Sequence, residues 1–303
     1  MDDPIPARYL NEIQAAYPGL QFAQARLNRD GLVNDVVILD NAWVFRFPKD
    51  AWAGEVLQRE ARVLELARRY VSLPLPELAL HPNFASYRMI PGRALFREDI
   101  FSRPDREQEA LAEALGGFLR QLHAIPAAEA ERSEIGPSGA ARSLDDWRQM
   151  YARLEGELFP YLMTHQRQWV ERRFRPVLDG SLPLDCSPAL IHGDLGQYHL
   201  IYDPKANCLN GVIDFGTAGL GDPAVDFAAV IDAFGERFLE RMLPYHPGIL
   251  PALERARFWA ATLELQWALG GLRSGDLSWF AVHIGRARDS LPYGAPLRQK
   301  PGS

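Results

Sequence analysis

Two apolar runs, each ending in a carboxylate, constrain this chain more than any other feature. Ala189-Leu190-Ile191 leads into His192-Gly193-Asp194, and Gly211-Val212-Ile213 leads into Asp214-Phe215-Gly216. Runs so short and so apolar read as buried strands rather than helices. His199, a possible metal ligand, follows Asp194 by five residues, at the start of another apolar run, Leu200-Ile201. Five residues carry the chain from the loop holding Asp194 into a next strand. The strand after that returns Asp214 to the same end of the sheet. The rest of the chain is expected to serve these two carboxylates.

The 303 residues suffice for two lobes around a large core. Apolar residues at 47% and charged residues at 24% fit a soluble globular protein. A formal net charge of −6 leaves no cation excess for phosphate contacts, which argues against a nucleic-acid partner. It suits a cationic small-molecule substrate, although a mild acidic balance also simply aids solubility. Cys186 and Cys208 form no disulfide framework or metal cluster and read as reduced thiols. The N-terminus lacks an apolar signal segment, and no run approaches the ~18 apolar residues of a membrane span. The expected location is cytoplasmic, with no membrane partner. No coiled-coil seam is present, so a monomer or weak dimer is expected.

Taken in order, residues 5–18 suggest an amphipathic helix closed by Pro18-Gly19. Two strands then flank a turn at Asp40-Asn41: Val36-Val37-Ile38-Leu39 and Trp43-Val44-Phe45-Arg46-Phe47-Pro48. Arg46 alternates with Phe45 and Phe47, so it faces the opposite side of its strand. A polar loop with one glycine, Gly31, precedes the first strand. Residues 52–70 carry a strong helix pattern with Glu60 in its middle. Tyr87-Arg88-Met89-Ile90 reads as a strand, and Pro91-Gly92 as the crossing between lobes. Residues 105–124 form a helix ending in His123, where a histidine complements the helix dipole. An Ala/Glu/Ser/Gly-rich stretch over 127–142 reads as a mobile linker. A capped helical pair from Ser143 to about Leu178 is interrupted at Pro160. Helices, with Pro223 in the first turn of one of them, run on to Leu291, and the tail after Pro292 reads as disordered.

Phosphoryl transfer needs positioned groups and charge neutralisation more than covalent chemistry. Its kinase layout has a catalytic-loop Asp, a metal ligand five positions on and the Asp of an Asp-Phe-Gly. Asp194, His199 and Asp214 fill these places. Asp194 would orient a hydroxyl and accept its proton; His199 and Asp214 would hold the Mg²⁺ that bridges nucleotide phosphates. Imidazole suits Mg²⁺ less well than the oxygen ligand the layout normally supplies. The layout also pairs a strand cation with a glutamate of the next helix, which Arg46 and Glu60 would provide. Taken alone, Glu60 would fit a solvated helix face and Arg46 a solvent-facing strand position. Gly31 would cover the phosphates of ATP or GTP, and Met89 and Ile90 would bond the base through backbone groups. Only Thr217–Gly221 separates Asp-Phe-Gly from Asp222. That leaves no room for a peptide-docking activation loop, so the expected acceptor is a small molecule.

These residues resemble the aminoglycoside phosphotransferase family over nearly the whole chain. The carriers are Phe45-Arg46-Phe47-Pro48-Lys49, Arg59-Glu60, Met89-Ile90-Pro91-Gly92 and Leu119-Arg120-Gln121-Leu122-His123. His192-Gly193-Asp194 with His199, Ile213-Asp214-Phe215-Gly216 and Gly221-Asp222-Pro223-Ala224-Val225-Asp226-Phe227 complete the set. The resemblance implies an α+β, bilobal protein-kinase-like fold. It has an N-terminal antiparallel sheet with a helix over 1–92, which binds nucleotide, and a larger, mostly helical lobe over 93–303, which carries catalysis and substrate. It also implies ATP or GTP as donor, Mg²⁺, and transfer to a small-molecule hydroxyl. His199 looks like both the aminoglycoside 2''-phosphotransferases and the macrolide 2'-phosphotransferases, while Phe45-Arg46-Phe47-Pro48-Lys49 and Phe234-Gly235-Glu236 lean toward the aminoglycoside 2'' group, with antibiotic resistance as the associated role. Lysine is usual where Arg46 stands, and the two are not equivalent toward phosphate. Lys49 is a weaker substitute.

A polycationic acceptor needs carboxylates around its ammonium groups and a flat side chain against a sugar ring. Asp232, Glu236 and Trp279 are the favoured candidates, beside Glu240, Glu264 and Trp267. Solvated helix faces and core packing account for such residues equally well. A macrolide 2'-phosphotransferase, a choline- or sugar-type metabolite kinase, and a non-catalytic nucleotide-binding relative are the alternatives.

Overall fold

The computed structural model describes residues 4–29, 31, 33–140 and 142–275. Its first lobe starts with α1 (Ala7–Ala16), β1 (Ala25–Asn28), β2 (Asn34–Leu39) and β3 (Trp43–Pro48). The turn between β2 and β3 places Asp40 and Asn41 both at φ 51. Asp and Asn tolerate this left-handed conformation, and two such residues in succession match the twist of an antiparallel hairpin. The next elements are α2 (Ala51–Ala67), β4 (Ala79–Leu80) and β5 (Ala85–Arg88). The five strands form one antiparallel sheet in the order β1-β2-β3-β5-β4. Asp50 caps α2 by accepting the Ala53 amide at 2.8 Å.

Strand alternation decides what β3 offers to each side. Phe45 and Phe47 enter a cluster with Tyr9, Ile13, Val37, Leu39 and Phe84, and Tyr9 stacks on Phe47 at 4.1 Å between centroids. This seam fastens α1 to the sheet. Val44 and Arg46 face the other way, toward α2 and the cleft, as the sequence pattern implied.

The larger lobe begins at β6 (Arg93–Ala94) and continues with α3 (Arg97–Phe101), α4 (Asp105–His123) and α5 (Ala127–Arg132). Next come α6 (Leu144–Arg153) and α7 (Thr164–Leu178), then the strands β7 (Ala189–Ile191), β8 (Leu200–Asp203), β9 (Cys208–Val212) and β10 (Gly219–Gly221). Helices α8 (Ala224–Phe234), α9 (Glu236–Met242) and α10 (Ile249–Ser274) follow. The strands are short. β6, β8 and β9 make one small antiparallel sheet, and β7 pairs with β10. The fold is therefore α+β, with strands concentrated in the first lobe and helices in the second. Among the described residues no helix is long and apolar enough to cross a membrane.

One expectation changes in detail. The stretch over 127–142 is ordered at its described residues rather than a mobile linker. Pro126 starts the short helix α5, which buries Ala130. Ser138 then donates its amide to Leu220 O at 2.9 Å, and Leu220 returns its amide to Gly136 O at 3.0 Å. A composition rich in small residues serves close packing here rather than mobility. The helical pair breaks where Pro160 predicts, through a π turn at Leu154–Leu158 and a 3₁₀ turn at Phe159–Tyr161. The residues after 275, including the disordered tail expected after Pro292, lie outside the described residues.

Trp147 of α6 anchors the helical pair. It is 1% exposed and meets the rings of Phe258 and Trp259 of α10, each at 4.7 Å between centroids. Replacing a buried aromatic of this size by alanine costs about 3–5 kcal/mol. Trp147→Ala is thus expected to lower the urea midpoint sharply with an unchanged m-value, and an unshifted midpoint would remove Trp147 from the core's main supports.

Candidate active site

Antiparallel pairing of β7 with β10 sets Ile191 opposite Gly219 and delivers His192-Gly193-Asp194 at the strand end. Gly193 has φ +80, and a Cβ there would lie 2.7 Å from Ser138 Oγ, so the position requires glycine. His192 is fully buried. Its Nε2 donates to Ile213 O at 3.0 Å, while its Nδ1 faces the Asp194 amide at 3.3 Å. Burial, then the neighbouring His199, holds its basicity below the ordinary histidine range. Asp194 therefore follows a neutral, fixed imidazole and presents a half-exposed carboxylate to the cleft.

Asp226 clamps this loop from below. It is fully buried in α8, and its two carboxylate oxygens accept the amides of His192 and Gly193 at 3.0 and 2.9 Å. His123 Nε2 donates to the same carboxylate at 2.9 Å. Burial opposes the charge on Asp226, yet His123, His192 and the Gly193 amide together hold its carboxyl below the usual range. Sequence inspection included Asp226 only as part of a motif and read His123 as a complement to its helix dipole. The one signal for Asp226 was an aspartate in an otherwise apolar helix, Ala224-Val225-Asp226-Phe227.

The second carboxylate arrives at the end of β9. Asp214 has φ 64, a costly conformation for a residue with a side chain and one that clusters at functional sites. Its Oδ2 lies 3.5 Å from His199 Nε2, and its Oδ1 lies 3.5 Å from Arg46 Nη2. Burial raises its carboxyl pKa, but Arg46, His199 and His192 outweigh this and hold it ionised well into acid. His199 Nδ1 donates to Asp194 O at 2.6 Å. That bond fixes the tautomer, leaving the Nε2 lone pair aimed at Asp214 when the ring is neutral.

Arg46 and Glu60 close the inner end of the cleft. Arg46 Nη1 meets both Glu60 oxygens, at 2.7 and 2.8 Å, and Glu60 is fully buried. Glu60 also accepts the amide of Phe215 at 3.1 Å. Burial alone would weaken the charge on Arg46, but Glu60 and Asp214 hold it protonated above its ordinary range. Arg59 adds a second link between the lobes by donating to Gly216 O at 2.6 Å.

A cavity of about 240 Å³ opens beside these groups. Val36, Ile38 and Val44 line one wall, Ile201 and Ile213 the other, and Arg46 and Asp214 the charged end. Met89 and Ile90 also line it. The Met89 amide is already bonded to Ala42 O at 2.9 Å, so alternation leaves Arg88 C=O and Ile90 N–H on the free edge of the strand. Gly31 lies in the loop before β2, where Lys49 Nζ donates to its carbonyl and, at 3.0 Å, to Arg29 O. Lys49 thus braces the loop.

Glu236, expected to meet the acceptor, opens α9. Glu236 is 4% exposed and accepts from Arg257 Nε at 2.9 Å, with Arg257 also on Glu254 at 2.7 Å. The carboxylate expected to meet an ammonium group is instead neutralised within the protein, because burial demands a partner. Asp232 is half-buried near the end of α8, and Glu264 is buried in α10. Trp279 lies outside the described residues.

The family described as "Phosphotransferase enzyme family" matches residues 24–261. A viomycin phosphotransferase of Streptomyces vinaceus is 31% identical over 198 residues, 64% of this chain and 66%, just under two thirds, of that protein. The uncharacterized protein YcbJ of Bacillus subtilis (strain 168) is 26% identical over 234 residues, covering 73% of this chain and 74% of its own. The GDP complex of wild-type aminoglycoside 2'-phosphotransferase-IIIa superposes with a TM-score of 0.81 at 24% identity, over 93% of this chain and 96% of that one. Macrolide 2'-phosphotransferase type I gives a TM-score of 0.71 at 23% identity, over 93% and 97%. These likenesses establish the bilobal kinase-like fold. With the match spanning both lobes, the chain belongs to the phosphotransferase enzyme family.

Proposed function

We propose that this small-molecule phosphotransferase moves the γ-phosphate of ATP or GTP to a hydroxyl of an aminoglycoside antibiotic. The observation that carries the reading is the convergence of Asp194, His199, Asp214 and the Arg46–Glu60 pair at one end of a narrow apolar cavity. The cavity walls suit a flat purine, with Arg88 C=O and Ile90 N–H available to its edge and Arg46 toward the phosphates. The residues 1–92 then act as the nucleotide lobe and 93–303 as the catalytic and acceptor lobe. A viomycin-type acceptor is the second reading, favoured by the relative at 31% identity and by the internal pairing of Glu236.

Within this reading Asp194 orients the acceptor hydroxyl and takes its proton as the phosphoryl group departs from the donor. Its position depends on the His192 and Gly193 amides below and on His199 beside it. Arg46 supplies fixed positive charge, held at the cleft by Glu60 rather than free to swing.

Among the described residues no three His, Cys, Asp or Glu side chains converge on one point. A divalent ion would therefore take Asp214 and His199 from the protein and complete its shell with phosphate oxygens and water, which is how Mg²⁺ is usually bound. The fixed His199 tautomer and the ionised Asp214 fit that role. When bound, Mg²⁺ would neutralise charge on the donor phosphates.

Incubation with ATP or GTP, Mg²⁺ and a panel of aminoglycosides, macrolides and viomycin, read by acceptor mass, tests the activity. Transfer to an aminoglycoside is expected, with Asp194→Asn lowering kcat by about 10²–10⁴ while nucleotide affinity persists. No transfer to any of them by protein that binds nucleotide would defeat the reading. A second expectation concerns the metal pair. His199→Asn restores an oxygen ligand and should retain transfer, whereas His199→Leu should raise the Mg²⁺ concentration needed by about tenfold or more. Equal Mg²⁺ dependence in both variants would remove His199 from the site.

A further inference from the structure

The Asp226 clamp does not end at His123. His123 Nδ1 lies 3.0 Å from Nε2 of His246, in the turn between α9 and α10. His246 is 6% exposed, and its own amide bonds Met242 O at 3.0 Å. Gly248 packs close against its ring: a Cβ there would lie 2.9 Å from Cε1. Phe227 sets its ring edge against both imidazoles, at 5.5 Å from His123 and 5.0 Å from His246. Two histidines thus stand in line behind an aspartate that holds the catalytic loop.

The direction of these bonds follows from chemistry. An ionised Asp226 only accepts, so His123 Nε2 carries a hydrogen. His123 Nδ1 and His246 Nε2 share one hydrogen across 3.0 Å, one ring donating and the other accepting. The line runs from His246 through His123 to Asp226, which also accepts the amides of His192 and Gly193. One atom is left over: His246 Nδ1 is buried with no hydrogen-bond partner. A proton added there would be a buried, unsatisfied donor in reach of the Arg120 charge. Burial first, then His123 and Arg120, press the pKa of His246 down to about 4. The charged and titrating groups facing the pair are Arg120 on α4, Asp226 on α8 and His192 on the loop.

We propose that His246 is a positioning residue for phosphoryl transfer, acting through His123 to orient Asp226 and so fix the His192-Gly193-Asp194 loop. The inference rests on the phosphotransferase reading for its kinetic effect, but not for its structural one. The bond between His246 Nε2 and His123 Nδ1 keeps the His123 ring turned toward Asp226. Without that bond, His123 is free to flip or change tautomer, and the carboxylate loses a partner fixed in register with the two amides. A residue more than 50 positions from Asp194 in sequence thereby sets its placement.

The test compares two substitutions. Glutamine places an amide N–H near the former Nε2 and cannot titrate; leucine supplies no donor. His246→Leu is expected to lower kcat about tenfold with KM for nucleotide and acceptor little changed, and His246→Gln is expected to restore it. The Gly193 amide resonance, which reports its bond to Asp226, should move in His246→Leu and return in His246→Gln. That readout needs no turnover, so it stands even if no acceptor is found. The linkage sign gives a third readout. His246 stays neutral in the folded protein to about pH 4, whereas the unfolded chain binds its proton near 6.5. Stability tied to His246 is present above 6.5 and declines as pH falls toward 4, and His246→Gln should flatten that decline. If His246→Leu does not fold, the glutamine variant's pH profile and Gly193 resonance carry the test. An unmoved Gly193 resonance in the leucine variant, or equal kcat loss in both variants, overturns the proposal.

Discussion

The carboxylate of Glu60 is the interaction on which the cleft depends. It is sealed from solvent, yet it accepts three hydrogen bonds, two from Arg46 and one from the Phe215 amide. The partners come from three parts of the fold. α2 supplies the carboxylate, β3 the guanidinium, and the Asp-Phe-Gly turn the amide. Removing one member of such a buried pair leaves an uncompensated charge at a cost of about 3–5 kcal/mol. The same charge on Arg46 reaches Asp214, so the bond that joins the lobes also sets the electrostatics where donor phosphates would lie.

Around this pair, strain and burial hold the reacting groups in place. Asp214 occupies a left-handed backbone conformation, and Gly193 another, on neighbouring strand ends. Glycine adopts its conformation freely, but that of Asp214 would not persist without a packed surround. Thr217 supplies part of it: its carbonyl accepts from Ser138 Oγ at 2.7 Å and its hydroxyl donates to His192 O at 3.2 Å. Ser138 belongs to the stretch whose composition suggested a mobile linker. The lower support is Asp226, whose charge is tolerated in α8 because three hydrogen bonds converge on it, from His123, His192 and Gly193.

What was legible in the sequence follows from periodicity and local chemistry. Alternation along Phe45-Arg46-Phe47 is a period-2 signal, so the facing of Arg46 could be read directly. The two carboxylates announce themselves because each ends an apolar run, and the Asp40-Asn41 turn carries its own backbone preference. The pairing of Glu236 with Arg257 was not readable, because it joins positions 21 residues apart across two helices with no shared periodicity. Nor was the line from His246 to Asp226. Each histidine alone looks like any other; only the packing of α4 against α8 and the α9–α10 turn brings them together. Local rules show where a polar group sits on its own element, and tertiary contacts decide whom it meets.

The helical region around α9 and α10 is built differently from the cleft. In the cleft opposite charges converge beside an apolar cavity. Toward α9 and α10 several charges are matched internally, with Arg257 between Glu236 and Glu254 and Arg255 on Asp222 at 2.6 Å. A cleft fixed by paired charges and a separately packed helical region would let one scaffold serve several acceptors.

The most direct test of the central claim is a double-mutant cycle on Arg46 and Glu60, read as nucleotide affinity. If the Glu60 carboxylate holds Arg46 in place for the donor phosphates, Arg46→Met and Glu60→Gln will each weaken binding, and the double variant will lose no more than the worse single one. Losses that add in the double variant would show that the two side chains act independently, and would contradict the account.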